Sequence, residues 1–244
     1  MDQRTLAIVH AQPRIAWQRE FAPRMVRGLK AMGWNVETVH DDVRRDDGLP
    51  ILLGTSCWRN LEHGDFLLVD RCSFGDTNHW VSLVRNGHGR RGDHRVPPGA
   101  PAARWEQYAQ PVAAWHNGAR RVLCGQTETY SPHYATLPEW YGKAAHRATH
   151  FRAHPAGSNP TGLPAARSWN DVGQAITLNS SVAVDAVLAG VPTVTMDEGS
   201  MAWAVTSHGP DDVTKPVRLT WLHWLAWTQW THDEIEEGKW AHLL

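Results

Sequence analysis

Short apolar runs alternate with a helical pattern in the first third of the chain. Residues 19–32 carry apolar side chains along one face and are followed by Gly33, which predicts a helix that ends there. Strands are predicted around this helix at residues 5–10, 35–40, 51–55 and 65–70. Strand, helix and strand in this order are typical of a parallel sheet with crossover helices, so the pattern predicts an α/β fold.

A second pattern of the same kind begins near Arg121. It predicts strands at residues 121–125, 149–154, 175–178 and 192–196, and helices at residues 139–147 and 180–189. Trp-rich helices are predicted at residues 218–230 and 233–242, where indoles at every third position favour packing over a stacking platform. We therefore expect two α/β domains, at residues 1–115 and 116–244.

A segment without apolar periodicity lies between the two patterns. Residues 85–104 combine glycine, proline and charge, which predicts an exposed loop. The segment is the most basic of the chain and contains Arg85, Arg90, Arg91 and Arg95. Two interpretations stay open: a solvated loop, or a positively charged finger that contacts a polyanionic acceptor.

Charge and cysteine content limit the possible classes of function. The net charge of −1 over 244 residues provides no global field toward nucleic acid. Cys57, Cys72 and Cys124 form no CxxC pair and no zinc-ligand spacing, so we expect neither a metal site nor a disulfide framework. No apolar run reaches the roughly 18–20 residues that cross a bilayer, and no signal core follows the N-terminus. We expect a cytoplasmic protein without a membrane partner.

The most informative segment is residues 176–200, a strand, a polar turn, an apolar helix and a second strand. Asn179, Ser180 and Ser181 form the turn at the predicted carboxyl edge of a parallel sheet, where α/β folds bind ligands. Hydroxyls and backbone N–H groups at a helix N-terminus favour phosphate binding. The alternative is that Asn179 or Ser180 only caps the helix.

Two of these elements carry a resemblance to known enzymes. FRAHP (151–155) and LNSSVAVDAVLAGVPTV (178–194) resemble the HP and SS elements of bacterial GT-B sialyltransferases and capsule-polysaccharide transferases. The resemblance implies two Rossmann-like domains with a cleft between them and C-terminal crossing helices. It also implies that His154 contacts the donor phosphate and that Ser180 and Ser181 hold it.

The donor expected from this resemblance is a UDP-sugar. Sialyltransferases carry an acidic-acidic-Gly element ahead of HP, whereas the segment of that composition here, residues 197–199, comes after it. Arg152 is expected to pair with the diphosphate, or alternatively with a surface carboxylate. Glu198 is expected to bind the donor ribose or sugar, and no cofactor or metal is expected beyond the UDP-sugar co-substrate.

A second resemblance, to phage-encoded glycosyltransferases, rests on FLLVDRCSFGD (66–76) and the Trp-rich tail (221–243). It implies transfer of a hexose, with glucose as the first candidate, to 5-hydroxymethylcytosine in double-stranded DNA. The location that it implies is the cytoplasm of a host cell. The alternatives are transfer to a surface polysaccharide or small glycoside, a non-catalytic nucleotide-binding module, and a sugar-nucleotide epimerase.

Transfer to a hydroxyl needs a base, and the candidates follow predicted strands of the first half. Asp76, in a Gly-containing turn, is preferred over Asp70 and the neighbouring His79. His10, at the end of the first strand, is a further candidate. The alternatives are an aspartate that stabilises a turn and a histidine satisfied at a strand end.

Overall fold

The computed structural model describes residues 6–40, 45, 47–55, 64–76, 78–127, 136–209 and 211–244. The strands are β1 (Leu6–His10), β2 (Asn35–Val39), β3 (Leu49–Leu53), β4 (Leu67–Arg71), β5 (Trp80–Arg85), β6 (Arg120–Cys124), β7 (His150–Arg152), β8 (Val172–Thr177), β9 (Thr193–Thr195) and β10 (Gln229–Thr231). The α-helices are α1 (Ala16–Ala31), α2 (Ala103–Tyr108), α3 (Leu137–Ala144), α4 (Val182–Leu188), α5 (Leu219–Ala226) and α6 (His232–Glu236). Cys57 lies outside the described residues.

The chain divides into two compact units. The first contains Met1–His88, Gly92–Arg104 and Trp224–Leu244, and the second contains Gly89–Arg91 and Trp105–His223. These units differ in extent from the predicted domains, 1–115 and 116–244, because the chain returns to the first unit at Trp224. The cleft between the domains stays a prediction.

The first unit contains a six-stranded sheet of order β10-β5-β4-β3-β1-β2. Strands β1 to β4 are parallel, while β5 pairs antiparallel with β4 and β10 pairs antiparallel with β5. Helix α1 covers the sheet because Phe21, Met25 and Leu29 recur on one face and are buried in its core. The crossover from β1 through α1 to β2 confirms the predicted α/β pattern.

Helix α1 approaches α6 closely at Gly28. A methyl group at Gly28 would collide with the carbonyl oxygen of Ile235, whereas one at Gly142 in α3 would contact no atom within 4 Å. We expect Gly28→Ala to destabilise the fold by about 1–3 kcal/mol because backbone atoms must move apart. Gly142→Ala is expected to stabilise it by roughly 0.5–1 kcal/mol through helix propensity. Urea unfolding of both variants checks this, and equal shifts of the two midpoints would contradict it.

The second unit contains a four-stranded, fully parallel sheet of order β7-β6-β8-β9. Alternating residues of β6 face two separate cores, with Leu123 on one side and Val122 on the other. Trp140 of α3 packs in the core that contains Leu123, and Ala186 of α4 packs in the core that contains Val122. The sheet is thus covered by one helix on each face, as a parallel sheet requires.

Three sequence-based assignments need correction. Residues 85–104 are not one loop, because Arg85 ends β5, Gly89–Arg91 form a 3₁₀ turn and α2 begins at Ala103. The predicted helix at 218–230 ends at Ala226, and the predicted helix at 233–242 is the short α6 followed by a 3₁₀ turn, Ala241–Leu243. Strands β5 and β10 were not predicted.

The tryptophans of this region pack rather than form a platform. Trp221, Trp230 and Trp240 are buried, and the indole N–H of Trp221 donates to the carbonyl of Met201 (2.8 Å). The packing interpretation is therefore confirmed for these residues. Among the described residues, no helix combines the length and apolar character needed to span a bilayer.

A buried ion pair links α2 to the C-terminal segment of the first unit. Arg104 donates to both carboxylate oxygens of Glu234 (2.6 and 2.7 Å) and to the carbonyls of Ala226 and Gln229. Its guanidinium lies 4.3 Å from the ring centroid of Trp230. Glu234 also completes a capping box with Thr231 at the start of α6. One arginine thereby connects α2, α5, β10 and α6.

Candidate functional site

Polar residues follow every strand of the four-stranded sheet at its carboxyl edge. In spatial order they are His154 after β7, Gln126 after β6, Asn179 after β8 and Glu198 after β9. Because neighbouring strands lie about 4.8 Å apart, the row spans about 14 Å. The strand order reverses between β6 and β8, and such a switch point is where open α/β sheets bind ligands.

Gln126 and Asn179 meet at this switch point. The side-chain amide of Gln126 donates to Oδ1 of Asn179 (3.2 Å), and its own oxygen faces the Asn179 N–H at 3.5 Å. The hydroxyl of Tyr141 holds the backbone of Gln126 (3.2 Å). Gln126 was missed by sequence reasoning, although its position directly after a predicted strand was a usable signal.

His154 has a defined orientation and protonation pattern. The N–H of Ala156 donates to Nδ1 of His154 (3.1 Å), and the N–H of Gly157 donates to its carbonyl (2.8 Å). Since Nδ1 accepts a hydrogen bond, the proton of the neutral ring lies on Nε2. His154 can therefore present an N–H donor to an anionic group.

A cavity of about 630 Å³ lies beside His154. Its described lining comes from the turn after β6, including Gly125 and Gln126, from α3, including Tyr141, and from residues 156–158. Gly125 is needed there because a Cβ would lie 2.7 Å from the Phe151 ring. The wall is mainly apolar with a few polar groups, which is the usual composition of a small-molecule site.

The predicted phosphate turn, residues 179–181, leads into α4 and acts in part as its cap. The N–H of Val182 donates to the Ser180 hydroxyl (3.4 Å), so Ser180 acts in part as a cap. Ser181 is the N-cap residue of α4 but makes no side-chain capping bond. Asn179, Ser180 and Ser181 lie at the same sheet edge as His154, although only His154 among the predicted donor-binding residues lines the cavity.

Arg152 faces away from the cavity. Its neighbour Phe151 packs with Trp140 on the α3 side, so Arg152 points to the α4 side by strand alternation. Its guanidinium lies 4.6 Å from the ring centroid of Trp169. Arg152 also interacts electrostatically with Asp185 in the first turn of α4. The predicted contact with diphosphate is therefore not aimed at the cavity.

Asp185 has an unusual protonation equilibrium. Burial of the carboxyl raises its pKa to about 6, and Arg152 opposes this rise. The folded state therefore holds the proton more tightly than the unfolded chain, so stability falls as pH rises from about 4 through 6. We expect Asp185→Asn to raise Tm at pH 7.5 and to lose this advantage near pH 4.

The measurement is thermal unfolding at both pH values. Glu106→Gln, which neutralises an exposed carboxylate of α2, serves as the matched control and should change Tm little at either pH. A gain for Asp185→Asn that persists unchanged at pH 4 would refute the electrostatic explanation.

The three predicted catalytic residues of the first unit differ in accessibility. Asp76 accepts from the Asn78 N–H (2.9 Å) and lies 2.9 Å from Nδ1 of His79. The Asn78 N–H, followed by His79, lowers the pKa of the Asp76 carboxyl, which makes it a weaker base. The contact with Asp76 orients the exposed His79 ring.

Asp70 and His10 lie in the same sheet, on β4 and β1, with β3 between these two strands. Asp70 accepts from the Arg71 N–H (2.7 Å) and lies 3.6 Å from Nε2 of His88. His10, the last residue of β1, is only 1% exposed. Its imidazole is therefore buried in this conformation, and its role as the base stays a prediction.

The arginines of the basic segment bind mainly to the chain itself. Arg85 pairs with Asp65 and donates to the backbone oxygens of Leu243 and Leu244. Arg95 donates to the backbone oxygens of His242 and Leu244. Arg91 lies 2.6 Å from Asp197. Arg90 is exposed and donates its backbone N–H to Gly199 (3.0 Å). Three of the four predicted acceptor contacts are thus internal ion pairs or hydrogen bonds.

Within the described ranges, no group of three or more His, Cys, Asp or Glu side chains is placed to hold a metal ion.

No family model and no curated protein matches the sequence. The chain is similar in fold to the solved structure of Thermosulfurimonas dismutans KpsC, beta Kdo 2,7 transferase, with a TM-score of 0.55 and 12% sequence identity. The alignment covers 96% of this chain and 98% of that chain. The likeness extends over both units, and from it we conclude that the chain shares the mixed α/β fold of this structure.

Proposed function

We propose that the protein is a glycosyltransferase that binds a nucleotide-sugar along the carboxyl edge of the four-stranded sheet. The observation that carries the proposal is the row His154, Gln126, Asn179 and Glu198 beside a cavity of about 630 Å³. A row that crosses four strands suits an extended ligand better than a single monosaccharide. The fold likeness to a Kdo transferase supports the same class of reaction.

The two outer residues of the row, His154 and Glu198, and the nearby Ser181 have assigned roles in this proposal. His154 donates from Nε2 to a donor phosphate, and Ser181, with the N–H groups at the start of α4, binds the same anion. Glu198 accepts from a diol, because a carboxylate has acceptor sites for two hydroxyls. His154, Ser181 and the N–H groups at the start of α4 stabilise the departing diphosphate. For deprotonation of the acceptor hydroxyl, the proposed base is His79 oriented by Asp76.

For the donor and acceptor, we propose a hexose transferred from a UDP-sugar to a hydroxyl. The hydroxyl of 5-hydroxymethylcytosine in DNA is one acceptor, supported by the exposed Arg90. A sugar hydroxyl is the second acceptor. It is supported by the internal pairing of Arg85, Arg91 and Arg95 and by the fold likeness to a Kdo transferase.

The first experiment measures binding of UDP, UDP-glucose, CMP and CMP-Kdo by calorimetry. Binding of one nucleotide family at micromolar concentration, weakened in His154→Ala, is the expected result. The protein is then incubated with the bound donor and either hydroxymethylcytosine DNA or an oligosaccharide, and products are identified by mass spectrometry. Nucleotide binding without transfer would favour a non-catalytic module, and no binding of any nucleotide would refute the proposed function.

A further inference from the structure

In the turn after β9, the exposed Glu198 lies between Asp197 and Gly199, and hydrogen bonds hold both of these neighbours. The N–H of Ser200 donates to the carbonyl of Asp197 (3.1 Å), and the N–H of Gly199 donates to Oδ1 of Asp197 (2.7 Å). The Asp197 side chain is fully buried, whereas the Glu198 side chain is 57% exposed. The hydrogen bonds of the turn therefore fix the backbone position from which the exposed Glu198 side chain extends.

A distant segment of the chain holds this turn. Nη2 of Arg91 lies 2.6 Å from Oδ1 of Asp197, and its Nε lies 3.7 Å from Oε1 of Glu198. The N–H of Arg90 donates to the carbonyl of Gly199 (3.0 Å). Gly89 and Gly199 are also in close contact, because a Cβ at Gly89 would collide with the Gly199 carbonyl oxygen. Backbone, steric and ionic contacts therefore all fix Arg91 beside the two carboxylates.

We propose that Arg91 is a positioning residue for Glu198, and that Glu198 binds the ribose diol of the nucleotide. This inference rests on the proposed function. The guanidinium neutralises two adjacent carboxylates that would otherwise repel each other, and it compensates the buried charge of Asp197. Its planar fork can face both carboxylates at once, which the compact ammonium group of lysine cannot do.

The test measures discrimination between a ribose and its dideoxy form. Calorimetry compares UDP with 2′,3′-dideoxy-UDP, or CMP with 2′,3′-dideoxy-CMP if CMP is the nucleotide that binds. We expect the wild type to prefer the ribose form by about 10- to 100-fold, as a charged hydrogen-bond acceptor provides. Glu198→Ala and Arg91→Met should each bring the ratio close to one, and Arg91→Lys should give an intermediate ratio.

Arg120→Met is the matched control. It removes a guanidinium from an Arg–Asp pair at the amino edge of the same sheet, where Arg120 lies 3.7 Å from Asp171. Its ratio should equal that of the wild type. If Arg91→Met does not fold, Asp197→Asn weakens the same ion pair while keeping an acceptor for the Gly199 N–H, and it should lower the ratio in the same way.

The outcomes separate this inference from the proposed function. Loss of discrimination in both Glu198→Ala and Arg91→Met supports it. Equal weakening of ribose and dideoxy binding in Arg91→Met indicates a merely structural role and overturns it, as does an unchanged ratio. A wild type that binds nucleotide without discrimination overturns the inference but not the donor site, whereas a wild type that binds no nucleotide overturns both.

Discussion

Replacing His154 with asparagine is expected to lower the rate of sugar transfer about 100- to 1,000-fold, the usual loss when one donor to a developing charge is removed. The reason is geometric. An asparagine oxygen can replace Nδ1 as acceptor of the Ala156 N–H, so the loop keeps its conformation. Nothing replaces the Nε2 donor. The measurement is kcat for transfer from the donor identified by calorimetry.

His154→Gln is the matched control because its terminal amide can reach the position of Nε2. We expect it to retain much more activity than His154→Asn, although it loses the bond from Ala156. The reverse order of activities would mean that His154 matters for loop structure rather than for the donor.

The largest effect on stability is expected for Arg104→Met, which should destabilise the fold by about 3–5 kcal/mol because it leaves a buried carboxylate without its counter-charge. Arg104 and Glu234 are 8% and 5% exposed. The carbonyls of Ala226 and Gln229 lose the arginine donors as well. Urea unfolding followed by circular dichroism measures the shift.

Arg104→Met/Glu234→Gln tests the cause of this loss. Glutamine removes the buried charge but keeps an acceptor for the Thr231 N–H, which bonds to Glu234 at 2.9 Å. We expect the double variant to be more stable than Arg104→Met alone. Arg120→Met, which breaks an exposed pair, should change stability by less than about 1 kcal/mol. A double variant less stable than Arg104→Met would show that lost packing, not charge, dominates.

Local periodicity was sufficient for most of the fold. Helix α1 follows from apolar residues on one face, and strands β1 to β4 and β6 to β9 follow from short apolar runs. Strand β10 did not follow, because Gln229–Thr231 lie in a run with helical spacing and become a strand by pairing with Trp80–Ser82 of β5. Such pairing depends on residues about 150 positions away, which local propensity does not register.

The candidate site also contains residues that the sequence predicted and contacts that it did not. His154 and the Asn179–Ser181 turn could be identified from the sequence because each follows a strand and precedes a loop or helix. The bond of Gln126 to Asn179 joins residues 53 positions apart, and that of Arg91 to Asp197 joins residues 106 positions apart. The direction of Arg152, which strand alternation turns toward α4, is visible only with the sheet in place, and its contact with phosphate stays a prediction.

The alternation of strands and helices and the polar residues at strand ends could be predicted from local patterns, since both depend on neighbours a few positions away. The packing of the whole chain sets the strand order, which brings four separate polar turns into one row at one edge. It also determines that most arginines of the basic segment pair with partners inside the protein. The physical reason is that charge pairing and strand pairing depend on distance in space, which the chain reaches only after it packs.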